Sequence, residues 1–273
     1  MKTLKAVVLV ALLCPSRGFT AFESLVPGAR AAALGGSALA VEGGLVAGAI
    51  NPAGLRGLRG LAIAAWTVPS LFGIEGLSRM GFSAGVPIAS VPIALSVSTL
   101  RLRGYYETSL SLAAAISGGG AWAAGLRLRV EMLGIEGYGQ TSVPALDAGV
   151  SCAIAPGYSI ALLLTNASAA RIGAAGEPLP LSLAVGCAYA PGGTGATLYA
   201  RCSKELLSPL EWNLGAEYVV VPEFTLRLGM STEPSLVCGG VGIHLAPVAV
   251  EYGLTHHRQL GETHYLSVSL DLE

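Results

Sequence analysis

The sequence predicts an all-β membrane protein, a closed antiparallel β-barrel of about fourteen strands with a small N-terminal hatch or plug. Three observations predict it. Apolar residues make up 52% of the 273 positions and charged residues only 12%, half of the roughly 25% that a water-facing surface carries. Apolar side chains alternate with small or polar ones in run after run, the period of an extended strand. Turn residues separate these runs at short intervals, as hairpins between neighbouring strands require.

The elements follow in chain order. Lys2 and Lys5 form a positive start, Ala6 to Cys14 a short apolar core, and Thr20-Ala21 a small-residue cleavage site before Phe22. This reads as a cleaved export signal over residues 1–21. Its apolar run is shorter than the ~20 residues of a spanning helix. Cys14 follows the bulky Leu13, a poor context for lipid attachment. Residues 22–59 lack strand periodicity and are rich in Ala and Gly, from Gly28-Ala29-Arg30 to Asn51-Pro52-Ala53-Gly54. They read as a hatch tucked against the barrel that residues 60–273 form.

Two stretches of 23 residues, Ala148 to Ala170 and Pro178 to Ala200, carry no charge and mimic membrane helices. Pro156-Gly157 cuts the first and Pro191-Gly192-Gly193 the second, leaving halves of about ten residues, the length of a tilted spanning strand. Trp122 to Met132 decides between the two readings. Trp122, Ala124, Leu126, Leu128, Val130 and Met132 alternate with Ala123, Gly125, Arg127, Arg129 and Glu131. A helix would turn successive charges by about 200° and smear them around its circumference, whereas a strand gathers all three on one face. The same alternation places candidate strands near residues 60–68, 79–87, 92–103, 106–116, 120–133, 143–155, 157–166, 179–190, 194–204, 210–221, 223–231, 235–246, 247–257 and 262–273. A soluble sandwich would show more Lys and Glu on its polar face. Here that face is mostly Gly, Ala and Ser, which suits a crowded interior.

No catalytic constellation stands out: GxSxG, HExxH and a phosphate-cradling GxxxxGK[ST] are all missing, so no enzyme and no cofactor are expected. With 16 basic and 17 acidic residues intermixed, nucleic-acid binding has no electrostatic footprint. The cysteines Cys152, Cys187, Cys202 and Cys238 lack zinc spacing, and His256, His257 and His264 lack acidic or thiol partners at ligand spacing, so no metal is expected. Arg127, Arg129, Glu131, Asp147, Arg201, Glu211, Glu217, Arg227 and Glu251 fall on the inward phase. They line the lumen, where they anchor a substrate headgroup or the hatch, or pair with one another. Facing lipid would cost an Arg about 2–4 kcal/mol near the midplane.

The stretch from Gly28 to Gly44, followed by Ala49-Ile50-Asn51-Pro52-Ala53-Gly54-Leu55, resembles the N-terminal hatch signature of the FadL-like outer-membrane proteins. The C-terminal Gly253-Leu254-Thr255 and Leu260 to Ser267 resemble the closing hairpin of the PorV-like branch. The resemblance implies a fourteen-stranded barrel in the bacterial outer membrane, with Asn51, Pro52, Ala53 and Gly54 in the hatch. It further implies passive uptake of small hydrophobic molecules such as long-chain fatty acids, with membrane lipid as surroundings. The PorV-like branch implies an alternative, a secretion-system or surface-protein partner, and a structural barrel with a sealed lumen is a third reading. In the resembled fatty-acid transporters the third strand kinks inward and opens the wall to the bilayer. Here the apolar phase passes from Ile93, Leu95 and Val97 to Leu100 and Leu102. That slip predicts a one-residue bulge at Ser98-Thr99, either an ordinary barrel bulge or, as the resemblance implies, a comparable lateral opening.

Overall fold

A strand whose side chains alternate can turn one set into a cylinder and offer the other to hydrocarbon. The computed structural model describes residues 21–23, 26–41, 43–118, 121–206 and 208–272, so all of the expected export signal except Ala21 lies outside the described residues. Fourteen strands close the barrel. They are β1 (Leu61–Val68), β2 (Ser78–Ile88), β3 (Val91–Leu102), β4 (Tyr105–Gly118), β5 (Trp122–Ile135), β6 (Gly139–Ala155), β7 (Tyr158–Thr165), β10 (Ser182–Tyr189), β11 (Ala196–Glu205), β12 (Leu210–Val221), β13 (Phe224–Thr232), β14 (Ser235–Leu245), β15 (Val248–His257) and β16 (Gly261–Leu272). Two short strands, β8 (Arg171–Ile172) and β9 (Glu177–Pro178), pair only with each other in the β7–β10 connection.

The barrel closes where β1 meets β16 antiparallel, Leu61 opposite Leu272 through Thr67 opposite Leu266. With no free edge, the wall satisfies its own backbone groups, the condition for crossing hydrocarbon. The rim holding Leu61 and Leu272 is the terminal rim, and the one holding the β3–β4 turn is the far rim. No helix of the described residues is long and apolar enough to cross a membrane, which removes the helical reading of residues 148–200.

Three expectations are corrected. The strand expected at 143–155 starts at Gly139, because the tight turn closed by Tyr138 N–H on the Ile135 carbonyl (3.0 Å) lets pairing run on to Ile135 opposite Gly139. The strand expected at 179–190 starts at Ser182, because residues 179–181 belong to the rim connection. The bulge at Ser98-Thr99 is absent. The register of β3 runs unbroken with β2 and with β4, Ser98 opposite Gly81 and Ser109, Thr99 opposite Met80 and Thr108. Ser98 points inward and Thr99 outward, and the wall is closed there, so the lateral opening built on a bulge falls with it. Leu100 breaks the apolar phase because it lines the interior. The register shifts that do occur lie beside terminal-rim turns, between Val219 and Val221 and between Ala153 and Ala155.

The outer face is the apolar one. Leu126, Leu128, Leu183, Val185, Leu214 and Leu228 are each half or more exposed, a contiguous surface that a water-soluble monomer would not carry. Cys152, Cys187 and Cys202 share this outward phase, while Cys238 is buried inside. Tyr158 and Tyr189 stack outside the terminal rim, ring centres 4.2 Å apart, where an amphipathic ring suits the membrane interface.

Inside lies the hatch: α1 (Gly28–Ala33), α2 (Leu45–Ile50) and a 3-10 turn at Pro52–Gly57. Leu34, Leu39 and Leu55 are fully buried against the wall. The wall makes room by omitting side chains. A Cβ on Gly125 would overlap the Pro52 and Ala53 backbone, one on Gly149 the Asn51 amide, and one on Gly229 the Leu34 and Gly35 backbone. The small inner-face residues are thus seats for the hatch.

Gly125→Ala is expected to lower stability by about 1–3 kcal/mol, the range for overpacking a filled interior. Gly239→Ala is the control, because its Cβ would meet neighbours only at 3.7 Å. Urea titration of the folded barrel in detergent measures both, and equal stabilities would contradict the packing described.

Candidate functional site

The Asn51-Pro52-Ala53-Gly54 segment is legible as local chemistry. Asn51 is 1% exposed. Its Oδ1 accepts the Ala53 N–H at 3.1 Å, capping the 3-10 turn, and its Nδ2 donates to the Leu162 carbonyl of the wall at 3.4 Å. Pro52 takes the first helical position, where a missing N–H costs nothing. Ala53 is fully buried over Gly125, and Gly54 leaves room for the Ala47 carbonyl, which a Cβ would meet at 2.9 Å.

The inward charges sort into three groups, each touching the hatch. In the first, Arg127 Nε lies 2.9 Å and Arg129 Nε 3.0 Å from Asp147 Oδ2, Arg129 also pairs with the fully buried Glu131, and Arg127 Nη1 donates to the hatch carbonyl of Ala49 at 2.7 Å. In the second, Arg30 of α1 meets Glu217 at 2.9 Å, Glu217 meets Arg227 at 2.6 Å, and Arg227 meets Glu251 at 2.9 Å. In the third, Arg201 donates to the Gly36 carbonyl at 3.2 Å, and Asn213 donates to that of Gly35 at 2.7 Å. The predicted lumen residues therefore face inward, and those of all three groups hold the plug. Arg30 is the partner that sequence reasoning missed. It stands 187 residues from Glu217 in a segment without strand periodicity, so no local pattern signals the pair. Burial of Arg30 opposes its charge, but the attraction of Glu217, joined by that of other acidic groups around it, outweighs burial and holds the guanidinium above its ordinary range.

Between the hatch and the far rim lies a cavity of about 210 Å³. Val26, Ala31, Ala49 and Ile50 of the N-terminal segment form one side, and Trp66, Arg79, Ser98, Leu100, Glu107 and Leu163 of the wall form the other, with the Arg127 group at its edge. Arg79 sits 5.1 Å from the Trp66 ring centre, a cation–π contact. Among the described residues no carboxylate lies within ion-pairing distance of it, although Glu107 and Glu131 act on it from further away. Neither Arg79 nor Trp66 stood out in the sequence: each is one polar or aromatic residue in its strand, and their contact depends on the register of the β1–β2 hairpin, Val68 opposite Arg79 and Trp66 opposite Gly81, which alternation alone does not fix. Ser98 lines this cavity and Thr99 does not, because Thr99 bonds Thr108 at 3.1 Å on the outer face.

The histidines are used structurally. His264 Nδ1 bonds Tyr252 Oη at 2.7 Å, and His257 Nδ1 accepts the N–H groups of Gln259 and Leu260 at 3.1 and 3.0 Å, closing the β15–β16 turn. Among the described residues no group of three or more His, Cys, Asp or Glu is placed to hold a metal ion.

Glu217→Ala removes the carboxylate shared by Arg30 and Arg227 and strands two buried cations. It is expected to cost about 3–5 kcal/mol in equilibrium unfolding of the detergent-folded barrel, and a loss under 1 kcal/mol would mean that the pairs do not hold the hatch.

No family model matches the sequence, and no curated protein matches it. Solved structures do match. The toluene transporter TodX of Pseudomonas putida superposes with a TM-score of 0.68 at 12% identity, covering 93% of this chain and 100% of that one. A FadL homologue of Pseudomonas aeruginosa gives 0.64 at 10% identity, over 94% and 100%. The monoaromatic hydrocarbon channel CymD gives 0.65 at 11% identity, over 90% and 97%. Identities this low speak for the fold alone. The chain has the fold of these FadL-like solved structures.

Proposed function

We propose that the protein is a bacterial outer-membrane channel for passive uptake of small hydrophobic molecules, with the N-terminal hatch as its gate. The cavity between hatch and far rim supports this reading most directly. Its lining combines Trp66, Ile50, Leu100 and Leu163 with charged groups, among which the guanidinium of Arg79 has no carboxylate of the described residues within ion-pairing distance. Such a site suits an amphipathic molecule with an anionic head, fatty acids foremost, and Arg79 is the headgroup contact. Its volume of about 210 Å³ exceeds the ~150 Å³ apolar cavity that accommodates benzene. A single ring or a short acyl segment fits without rearrangement, and a long chain requires the hatch to shift. Known solved structures of this fold include a toluene transporter and monoaromatic hydrocarbon channels, which agrees with an apolar cargo. The far-rim turns at residues 103–104, 136–138 and 258–260 are short, and the long 166–181 connection is packed back onto the barrel through Ile172 and Leu179, which favours a channel over a docking platform for a secretion-system or surface-protein partner.

Uptake of a labelled fatty acid into liposomes holding the purified barrel tests the reading. A hydrogen bond to a charged group contributes about 1.5–3 kcal/mol, so Arg79→Leu is expected to reduce fatty-acid uptake roughly tenfold or more while leaving uptake of a neutral aromatic such as toluene unchanged. Deleting residues 22–59 is expected to raise passage and abolish selectivity. No uptake by the intact protein, or uptake indifferent to that deletion, would overturn the channel reading.

A further inference from the structure

The β7–β10 connection, residues 166–181, is the longest excursion of the far rim, and it is folded back onto the barrel. Ile172 and Leu179 are buried with Ala145, and Val143, Leu133 and Phe22 pack against them. Asn166 organises its base. It takes a left-handed backbone conformation (φ 54°), which Asn tolerates better than most residues. Its Nδ2 donates to the Leu179 carbonyl at 3.1 Å, and its Oδ1 accepts the Ala170 N–H at 2.9 Å and the Ser168 hydroxyl at 3.1 Å. Losing the Asn166 side chain therefore removes bonds at both ends of the connection and loosens it, leaving the Ala167 N–H on the Leu146 carbonyl at 2.6 Å and the Ile172–Leu179 packing to hold it.

The backbone N–H of this same residue donates to Asp147 Oδ1 at 2.9 Å. The other oxygen of that carboxylate, Oδ2, holds Arg127 at 2.9 Å and Arg129 at 3.0 Å. Arg127 in turn holds the Ala49 carbonyl at 2.7 Å, two residues before Asn51. Asn166 and Asp147 are both fully buried. One carboxylate thus carries the rim connection on one oxygen and the hatch, through one guanidinium, on the other. A buried carboxylate stripped of a partner must recover it or shift. Movement at either end therefore changes what the other end is bonded to. Arg127, Asp147 and Ala49 also line the cavity, so a molecule entering there meets this link directly.

We propose that Asp147 is a positioning residue that couples the 166–181 connection to the hatch, so that the rim cover and the plug loosen together and not independently. The coupling goes beyond the channel reading: it belongs to the protein's own equilibrium and is measured without ligand. Coupling between two sites is reciprocal, commonly about 5- to 150-fold in an equilibrium.

Hydrogen exchange on the full chain, folded in detergent, tests it from both ends. Asn166→Gly keeps the left-handed backbone and removes the side-chain bonds. It is expected to speed exchange in residues 167–181 and, about tenfold, in hatch residues 46–55, which Asn166 does not bond. Arg127→Lys keeps the charge and draws it back from the Ala49 carbonyl. It is expected to speed the hatch and, reciprocally, residues 167–181. With Asp147→Asn as background, each change should act on its own end alone. Strands β11 to β13 are the internal control. Acceleration confined to the mutated end in both single variants overturns the coupling, and so does equal acceleration of β11 to β13, which would mean global loosening. If Asp147→Asn does not assemble, the two single variants still decide the question.

Discussion

The structure depends on backbone approaching backbone where the wall has no side chain. The hatch lies inside the barrel because Gly125 and Gly229 leave room for the main chain at Pro52 and Leu34, and Gly149 for the side-chain amide of Asn51. A closed cylinder in hydrocarbon has no solvent in its core to fill gaps or to hydrate unpaired groups. Its interior must therefore be filled by its own residues or left as a defined cavity. Here the small inner face and the hatch are complementary halves of one packed interior, and the cavity of about 210 Å³ is the part left unfilled.

Charge follows the same logic. Arginines and carboxylates cannot face lipid cheaply, so the alternation of each strand delivers them inward. Inside they would be just as costly if unpaired. They are matched instead to one another and to hatch groups that strands cannot supply: the Ala49 and Gly36 carbonyls and the Arg30 guanidinium. Arg79 departs from this pattern. It is stacked beside Trp66 in the cavity, and no carboxylate of the described residues is within ion-pairing distance, so its charge is open to a ligand in a way that the charges securing the plug are not.

Strand number, direction and most boundaries were legible because alternation is a purely local consequence of an extended backbone. The inward phase of Arg127, Arg129, Glu131, Asp147, Arg201, Glu217 and Arg227 was legible for the same reason. Alternation misled at Leu100. The rule equates apolar with outward, and it fails where the interior has an apolar wall of its own, so an inward leucine was read as a bulge at Ser98-Thr99. The start of β10 shifts for a related reason: Leu179 and Leu181 hold strand phase, yet Leu179 belongs to the rim connection and packs with Ile172 against Ala145 of the wall. The partnership of Arg30 with Glu217 joins the hatch to the wall across 187 residues, and no spacing along the chain encodes it. The Arg79–Trp66 contact and the Asn166–Asp147 link each sit on one hairpin, and they depend on a strand register that alternation alone does not fix.

The central claim is that the N-terminal segment fills the barrel by seating its backbone on wall glycines. Solid-state NMR of the protein in lipid bilayers measures this directly, through contacts between the Ala53 amide and the Gly125 α-protons and between Asn51 and Gly149. Strong cross-peaks at both pairs, with hatch signals as rigid as those of the wall, are the predicted result. Mobile hatch signals with neither contact would place the segment outside the barrel interior and contradict the account.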